Sequence, residues 1–231
     1  ATGDARFVDM AEISLYNNVL AGVNLEGNKF FYVNVLESDA KRGFNHGNAG
    51  RSPWFDCACC PSNIARLIPQ IPGMIYSQTD KDIFCGLYAG SNVEINLADT
   101  KVKLDQKTGY PFDGNINIQV DPEKEGSEFT LWVRIPTWTS DRFIPGELYR
   151  YADRQKTSAN VKVNGQRVRI AAVDGYIPLK RSWNTGDTVE IEIDMPVRYN
   201  IADERVEADI NRVCITRGPI LYCEEEPDNK E

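Results

Sequence analysis

One change of period divides this sequence. Up to about residue 72 the apolar residues recur at helical spacing or sit in loops; from about residue 73 they recur at every second position. Residues 5–22 carry Phe7, Met10, Ala11, Ile13, Leu15, Val19 and Leu20, which predicts an apolar stripe on one helical face, stopped by Gly22. Residues 24–28 read as a turn. Lys29-Phe30-Phe31-Tyr32-Val33-Asn34-Val35 reads as an aromatic, β-branched strand. Residues 37–53 are rich in Gly, Asn, Ser and charge and read as an exposed loop, which holds the single histidine, His46. Ser62 or Asn63 is placed to cap a short helix through Ile64, Ala65, Leu67 and Ile68. Pro69 and Pro72 then end or kink it.

Beyond residue 73 the pairs Val102/Leu104, Ile116/Ile118/Val120, Leu131/Val133/Ile135, Val161/Val163 and Val189/Ile191/Ile193 alternate with polar residues. That is the pattern of half-buried antiparallel strands. Asn164-Gly165, between Val161-Lys162-Val163 and Gln166-Arg167-Val168, signals a tight hairpin. Residues 140–158 are polar and read as a long loop or a short helix, and the charged tail 224–231 is expected to fray. The predicted fold is mainly β: an antiparallel β-sandwich over residues 73–231, preceded by a helical segment, residues 1–72. One helix, one strand pair and one kinked helix cannot enclose a core of their own. Residues 1–72 therefore pack on the sandwich or on helices outside this chain.

Composition excludes several classes. The 231 residues carry 26 Lys+Arg and 34 Asp+Glu, so the net charge is 26 − 34 = −8. An acidic chain is a poor partner for nucleic acid, which needs a basic face. No apolar run approaches the roughly 18 residues of a membrane span. Ala1-Thr2-Gly3-Asp4 shows no initiator Met and runs straight into helical periodicity, so the N-terminus reads as a cut.

Three of the six cysteines, Cys57, Cys59 and Cys60, fall within four positions; the others are Cys85, Cys214 and Cys223. Three readings stand side by side. A disulfide framework is possible by parity, but a chain of this length does not need one, and adjacent cysteines bond only with strain. Buried thiols acting as small hydrophobes suit Cys85, Cys214 and Cys223. Clustered thiols on a loop before a helix suit a metal such as zinc. His46 stands eleven or more residues from the cluster and reads as solvent-facing.

The segments Phe30-Phe31-Tyr32-Val33-Asn34 and Trp54-Phe55-Asp56-Cys57-Ala58-Cys59-Cys60-Pro61-Ser62-Asn63-Ile64-Ala65-Arg66 resemble the bacterial β-L-arabinofuranosidases that use a cysteine nucleophile, glycoside hydrolase family 127 and its relatives. The resemblance continues through Ile75-Tyr76-Ser77, Leu131 to Trp138, Trp183 to Asp187 and Arg217 to Tyr222, most of the chain. It implies an (α/α)6 barrel followed by β-sandwich domains, with residues 1–72 the last part of the barrel. It implies Cys59 as the nucleophile, and Cys59 and Cys60 as ligands of a zinc ion. The remaining ligands would come from a Glu-x-Cys segment, and no cysteine here has glutamate two positions before it. The acid/base glutamate is likewise not assignable. Tyr32 and Trp54 are expected at the sugar, with Phe55 and Asp56 lining the same pocket. The implied partners are an arabinose-containing oligosaccharide or glycan and the rest of the barrel. Ser62 departs from the family, where a second proline is expected.

Trp132, Trp138 and Trp183 are expected to pack rather than bind sugar. The acidic run Asp203, Glu204, Glu207, Asp209 fits no calcium loop and reads as a solvated face. A reading of a different class is a non-catalytic carbohydrate-binding or structural sandwich, with the cysteine loop as a linker remnant; zinc binding separates the two.

Overall fold

The computed structural model describes residues 3–223 apart from 36, 40 and 156. The charged tail 224–231 lies outside the described residues. The chain forms two compact units, residues 1–10 with 74–231, and residues 11–73.

Among its described residues the larger unit holds fourteen strands: β1 (Tyr76–Gln78), β2 (Asp82–Cys85), β3 (Ser91–Asn96), β4 (Lys101–Thr108), β5 (Asn115–Pro122), β6 (Ser127–Arg134), β7 (Tyr149–Tyr151), β8 (Ala159–Val163), β9 (Gln166–Arg167), β10 (Tyr176–Trp183), β11 (Asp187–Ile193), β12 (Val197–Ala202), β13 (Cys214–Arg217) and β14 (Ile220–Tyr222). They form three sheets, ordered β1-β2-β6-β10, β3-β4-β5-β11-β8-β9 and β14-β13-β12-β7. The fold is mainly β with antiparallel pairing, as the alternation predicts. One pair departs from it: β2 runs parallel to β6.

Register explains the core. Leu104 faces Val120, Val189 faces Ile118 on one side and Val163 on the other, and Ile191 faces Ile116 and Val161. In the sheet containing β6, Ile83 and Leu179 both sit opposite Leu131, and Cys85 and Ile177 opposite Val133. With period 2, each such row points to one face, and these residues are buried. Asn164 and Gly165 take φ of 52° and 74°, the two left-handed positions a type I′ hairpin requires. The 140–158 segment is loop around the short β7.

The sheet β14-β13-β12-β7 inverts the usual polarity. Arg198, Asn200 and Thr216 are buried, whereas Val197, Tyr199, Ile215 and Tyr222 are exposed. The buried polar groups are partly satisfied: the Arg198 guanidinium lies 3.7 Å above the Tyr151 ring and pairs with Asp153 at 3.0 Å, and Asn200 Nδ2 donates to Thr216 Oγ1, whereas Arg198 Nη1 and Asn200 Oδ1 find no hydrogen-bond partner among the described residues.

The first helix, α1 (Ala5–Ser14), continues into a π turn over Leu15–Val19 and a 3₁₀ turn over Leu20–Gly22. Asn17 Nδ2 donates to the Ile13 carbonyl, a side chain competing for a backbone acceptor at the point where the pitch widens. The predicted apolar stripe is overturned in its first turns. Phe7, Met10 and Ala11 are exposed, and Ala5, Asp9, Glu12 and Ile13 are buried. Asp9 is compatible with burial because Arg134 Nη1 and the Thr137 hydroxyl and amide all donate to its carboxylate.

Within the smaller unit the predicted strand 29–35 is absent. Phe30 makes isolated bridges to Val23 and Ser52, Phe31 N donates to the Gly22 carbonyl, and Tyr32 N donates to Asn45 Oδ1. The segment is extended, but loops and a side chain satisfy it instead of a ladder. The second helix, α2 (Cys59–Leu67), starts earlier than expected, with Ala58 at its N-cap and neither Ser62 nor Asn63 capping it. Ser62 Oγ instead donates to the Cys59 carbonyl. A 3₁₀ segment carrying Pro69 and Pro72 ends it, as expected.

Candidate active site

The chemistry-bearing residues meet at the start of α2. Cys59 occupies the first helical position and is exposed; Cys60 follows and is half-buried. The helix N-terminus presents amide groups and a partial positive charge there, which favours a thiolate. The Cys59 thiol lies 3.4 Å from the Tyr32 hydroxyl, to which it donates, and 3.7 Å from Cys60 Sγ. Cys60 in turn donates to the Tyr32 carbonyl at 3.7 Å.

These groups share protons. The Tyr32 hydroxyl, and after it the Cys60 thiol, hold the Cys59 pKa below the ordinary thiol value. Burial, then the neighbouring Cys59, pushes Cys60 up. Tyr32 is pushed up to about 12, chiefly by its hydrogen bond to Cys59. Of this cluster, Cys59 is the group that loses its proton first, and Tyr32 keeps its own to donate.

All six cysteines are free thiols, so no disulfide framework joins the described residues. Cys85 is buried and Cys214 half-buried, close to the expectation of inert thiols. Cys223 is exposed, against it. Among the described residues no group of three or more His, Cys, Asp and Glu side chains is placed to hold a metal. The Cys59–Cys60 pair nevertheless fits part of a zinc site. Tetrahedral coordination with Zn–S near 2.3 Å separates two sulfurs by about 3.8 Å, and the two thiols stand 3.7 Å apart.

An open cleft of about 750 Å³ adjoins the cluster; Tyr32, Cys60, Asn18, Asn34, Asn63 and Arg66 are among its lining residues. The predicted site residues Cys59, Cys60 and Tyr32 therefore come together. Trp54 is 62% exposed and packs little, whereas Trp138 and Trp183 are buried and Trp132 stacks on Phe84. Phe55 is buried against Tyr32, and Asp56 is exposed. His46 is exposed, in keeping with the solvent-facing reading, and its ring also lies 4.3 Å from that of Tyr32 and 5.4 Å from that of Phe55. The signal that could have found this contact is Asn45-His46-Gly47-Asn48, a turn sequence whose reversal brings the imidazole to the Tyr32 ring. In the acidic run, Asp203 pairs with Arg205, in keeping with a solvated face.

Three family models match the chain. Residues 1–73 match the β-L-arabinofuranosidase GH127 catalytic domain, residues 82–195 its middle domain, and residues 197–231 the glycoside hydrolase family 127 C-terminal domain. A non-reducing end β-L-arabinofuranosidase of Bifidobacterium longum subsp. longum is 32% identical over 96% of this chain and 32% of its own length. Among solved structures, a GH127 β-arabinofuranosidase superposes with a TM-score of 0.92 at 43% identity, over 99% of this chain and 35% of that one. A GH127 β-L-arabinofuranosidase from Geobacillus stearothermophilus T6 gives a TM-score of 0.85 at 39% identity, over 98% and 34%. The chain thus spans about a third of the length of the relatives it matches. With the models covering nearly every residue and the same fold recurring in family members, the chain belongs to glycoside hydrolase family 127.

Proposed function

We propose that this chain carries the nucleophile loop of a retaining glycoside hydrolase that releases L-arabinofuranose-like residues from an arabinose-containing oligosaccharide or glycan. The observation that supports it is the placing of Cys59: exposed, at a helix N-terminus, against the Tyr32 hydroxyl, in the segment matching the family's catalytic-domain model. Residues 1–72 are then the C-terminal end of a helical (α/α)6 barrel, and residues 73–231 a β-sandwich region.

In this reading the Cys59 sulfur attacks the anomeric carbon, the glycosidic C–O bond breaks, and a thioglycosyl intermediate forms. Water then cleaves the new C–S bond and returns the sulfur. Tyr32, which keeps its proton, donates to the sulfur while it is anionic. Trp54 and Tyr32 offer faces to the sugar. Cys59 and Cys60 would hold a zinc ion, which when bound keeps a coordinating thiol deprotonated. A second group must protonate the leaving oxygen and later activate water. That carboxylate and the other zinc donors belong to sequence outside these 231 residues, so the chain alone is expected to be inactive.

The test is turnover of an aryl β-L-arabinofuranoside by the complete polypeptide, its Cys59→Ala variant and the 231-residue chain. The proposal expects activity only from the unmodified complete polypeptide. A Cys59→Ala variant that keeps its turnover removes the nucleophile assignment, and an active 231-residue chain removes the need for outside residues. Zinc uptake by the chain, lost in Cys59→Ala/Cys60→Ala, separates this reading from a non-catalytic sandwich module.

A further inference from the structure

The Tyr32 ring packs with two others, and because the rings of His46 and Phe55 also lie 5.4 Å from each other, the three form one cluster. Phe55, buried, meets it edge-on at 5.5 Å, and His46 meets it at 4.3 Å with the ring planes 62° apart. The loop that presents His46 is anchored independently. Asn45 is fully buried; its Oδ1 accepts from Tyr32 N, and its Nδ2 donates to the Phe30 and Gly50 carbonyls. Asn45 and Asn48 then pair backbone to backbone, so the chain reverses across His46 and Gly47.

Both residues of that reversal have positive φ, 51° at His46 and 89° at Gly47. Glycine has no Cβ to clash at such a position, and histidine is among the few residues with a side chain that are enriched there. Nothing in the turn itself needs an imidazole. The use for the side chain is what it touches, and what it touches is the ring whose hydroxyl lies against Cys59.

We infer that His46 is a positioning residue: its imidazole, packed together with Phe55 against Tyr32, fixes the Tyr32 ring so that the hydroxyl stays on Cys59 Sγ. Asn45 fixes the backbone of Tyr32, and His46 fixes its ring. The inference rests on the reading of Cys59 as nucleophile for its catalytic meaning, but the ring packing is a property of this chain and its effect is measurable without turnover. In this scheme His46 acts through Tyr32, whose ring it meets.

The experiment compares wild type, His46→Gly, His46→Phe, Tyr32→Phe and the Tyr32→Phe/His46→Gly double variant as 231-residue chains, in chelator and at one fixed pH near neutrality. Each is treated with iodoacetamide, and the alkylation rate of Cys59 is read by peptide mass spectrometry relative to exposed Cys223. Glycine suits the φ at position 46, so His46→Gly is expected to fold. It should slow Cys59 alkylation about threefold or more, because a loosened hydroxyl supports the attacking sulfur for less of the time. His46→Phe, which keeps a ring there, should restore the rate, and His46→Gly should change nothing once Tyr32 is phenylalanine. An unchanged rate in His46→Gly, or an equal loss in the Tyr32→Phe background, overturns the inference. In the complete polypeptide the same variant should lower kcat and leave KM in place. Full turnover by Cys59→Ala would remove the nucleophile reading while leaving the alkylation result standing.

Discussion

Replacing Asp9 by alanine tests the polar contact that ties the first turns of α1 to the sandwich of the larger unit. The Arg134 side chain is fully buried and that of Asp9 is 3% exposed. Arg134 Nη1 donates to Asp9 Oδ1, its Nε donates to the Gly86 carbonyl at 2.5 Å, and Asp9 Oδ2 accepts from Thr137 Oγ1 at 2.5 Å and Thr137 N at 3.3 Å. Without the carboxylate, a guanidinium stays in the interior and loses the ion pair with Asp9. Breaking a buried pair in this way costs about 3–5 kcal/mol. For a protein of this size each kcal/mol moves Tm by about 2–4 °C, so the transition should fall by about 6–20 °C. Calorimetry with far-ultraviolet circular dichroism as a second probe measures it. The companion variant Asp9→Leu/Arg134→Met removes both charges and should recover most of the loss, short of about 1 kcal/mol for the donor taken from the Gly86 carbonyl. A fall of less than about 1 kcal/mol in Asp9→Ala would mean the pair behaves like an exposed one, and the reasoning would fail.

Other outcomes follow from particular residues. A Cβ at Gly114 would lie 1.9 Å from the Ile193 carbonyl oxygen, whereas one at Gly186 (φ +84°) meets open space; Gly114→Ala should cost at least about 2 kcal/mol by denaturant titration, and Gly186→Ala only about 1 kcal/mol of backbone strain. Burial pushes the Cys85 thiol up to about 12, and burial also raises Tyr76 and Tyr151. Raised pKa values in the folded state mean the unfolded chain releases protons first, so stability should be flat near neutrality and fall as pH climbs above about 9; a Tm that holds between pH 9 and 11 would contradict it. Site-resolved alkylation at pH 8 should label exposed Cys57, Cys59 and Cys223 long before Cys85, which should react only on unfolding. Trp54→Ala should leave stability within about 0.5 kcal/mol and raise KM in the complete polypeptide.

The cysteine loop and the aromatic segment were legible because their motif is local: clustered thiols before a helix left several readings open, and the resemblance of these short segments to the family singled out Cys59, Cys60 and Tyr32. The core rows of the sandwich were legible too, since alternation reports burial directly and Asn164-Gly165 carries its own turn geometry. The face of α1 was not. A polar residue is buried only when partners far along the chain satisfy it, and Asp9 finds Arg134 and Thr137 more than a hundred residues away. The segment 29–35 has strand composition but no adjoining strand edge, and β-structure needs a partner that composition does not name.

Sequence by itself decided the family and the mainly β architecture, and it is the resemblance to that family that puts Cys59 forward as the proposed nucleophile. Tertiary structure alone decided the parallel pairing of β2 with β6, the inverted polarity around Arg198 and Asn200, and the meeting of His46 with Tyr32. The division has one physical cause: periodicity and turn chemistry are written within a few residues, whereas the pairing of buried polar groups and rings is set by which distant segments the folded backbone brings within reach.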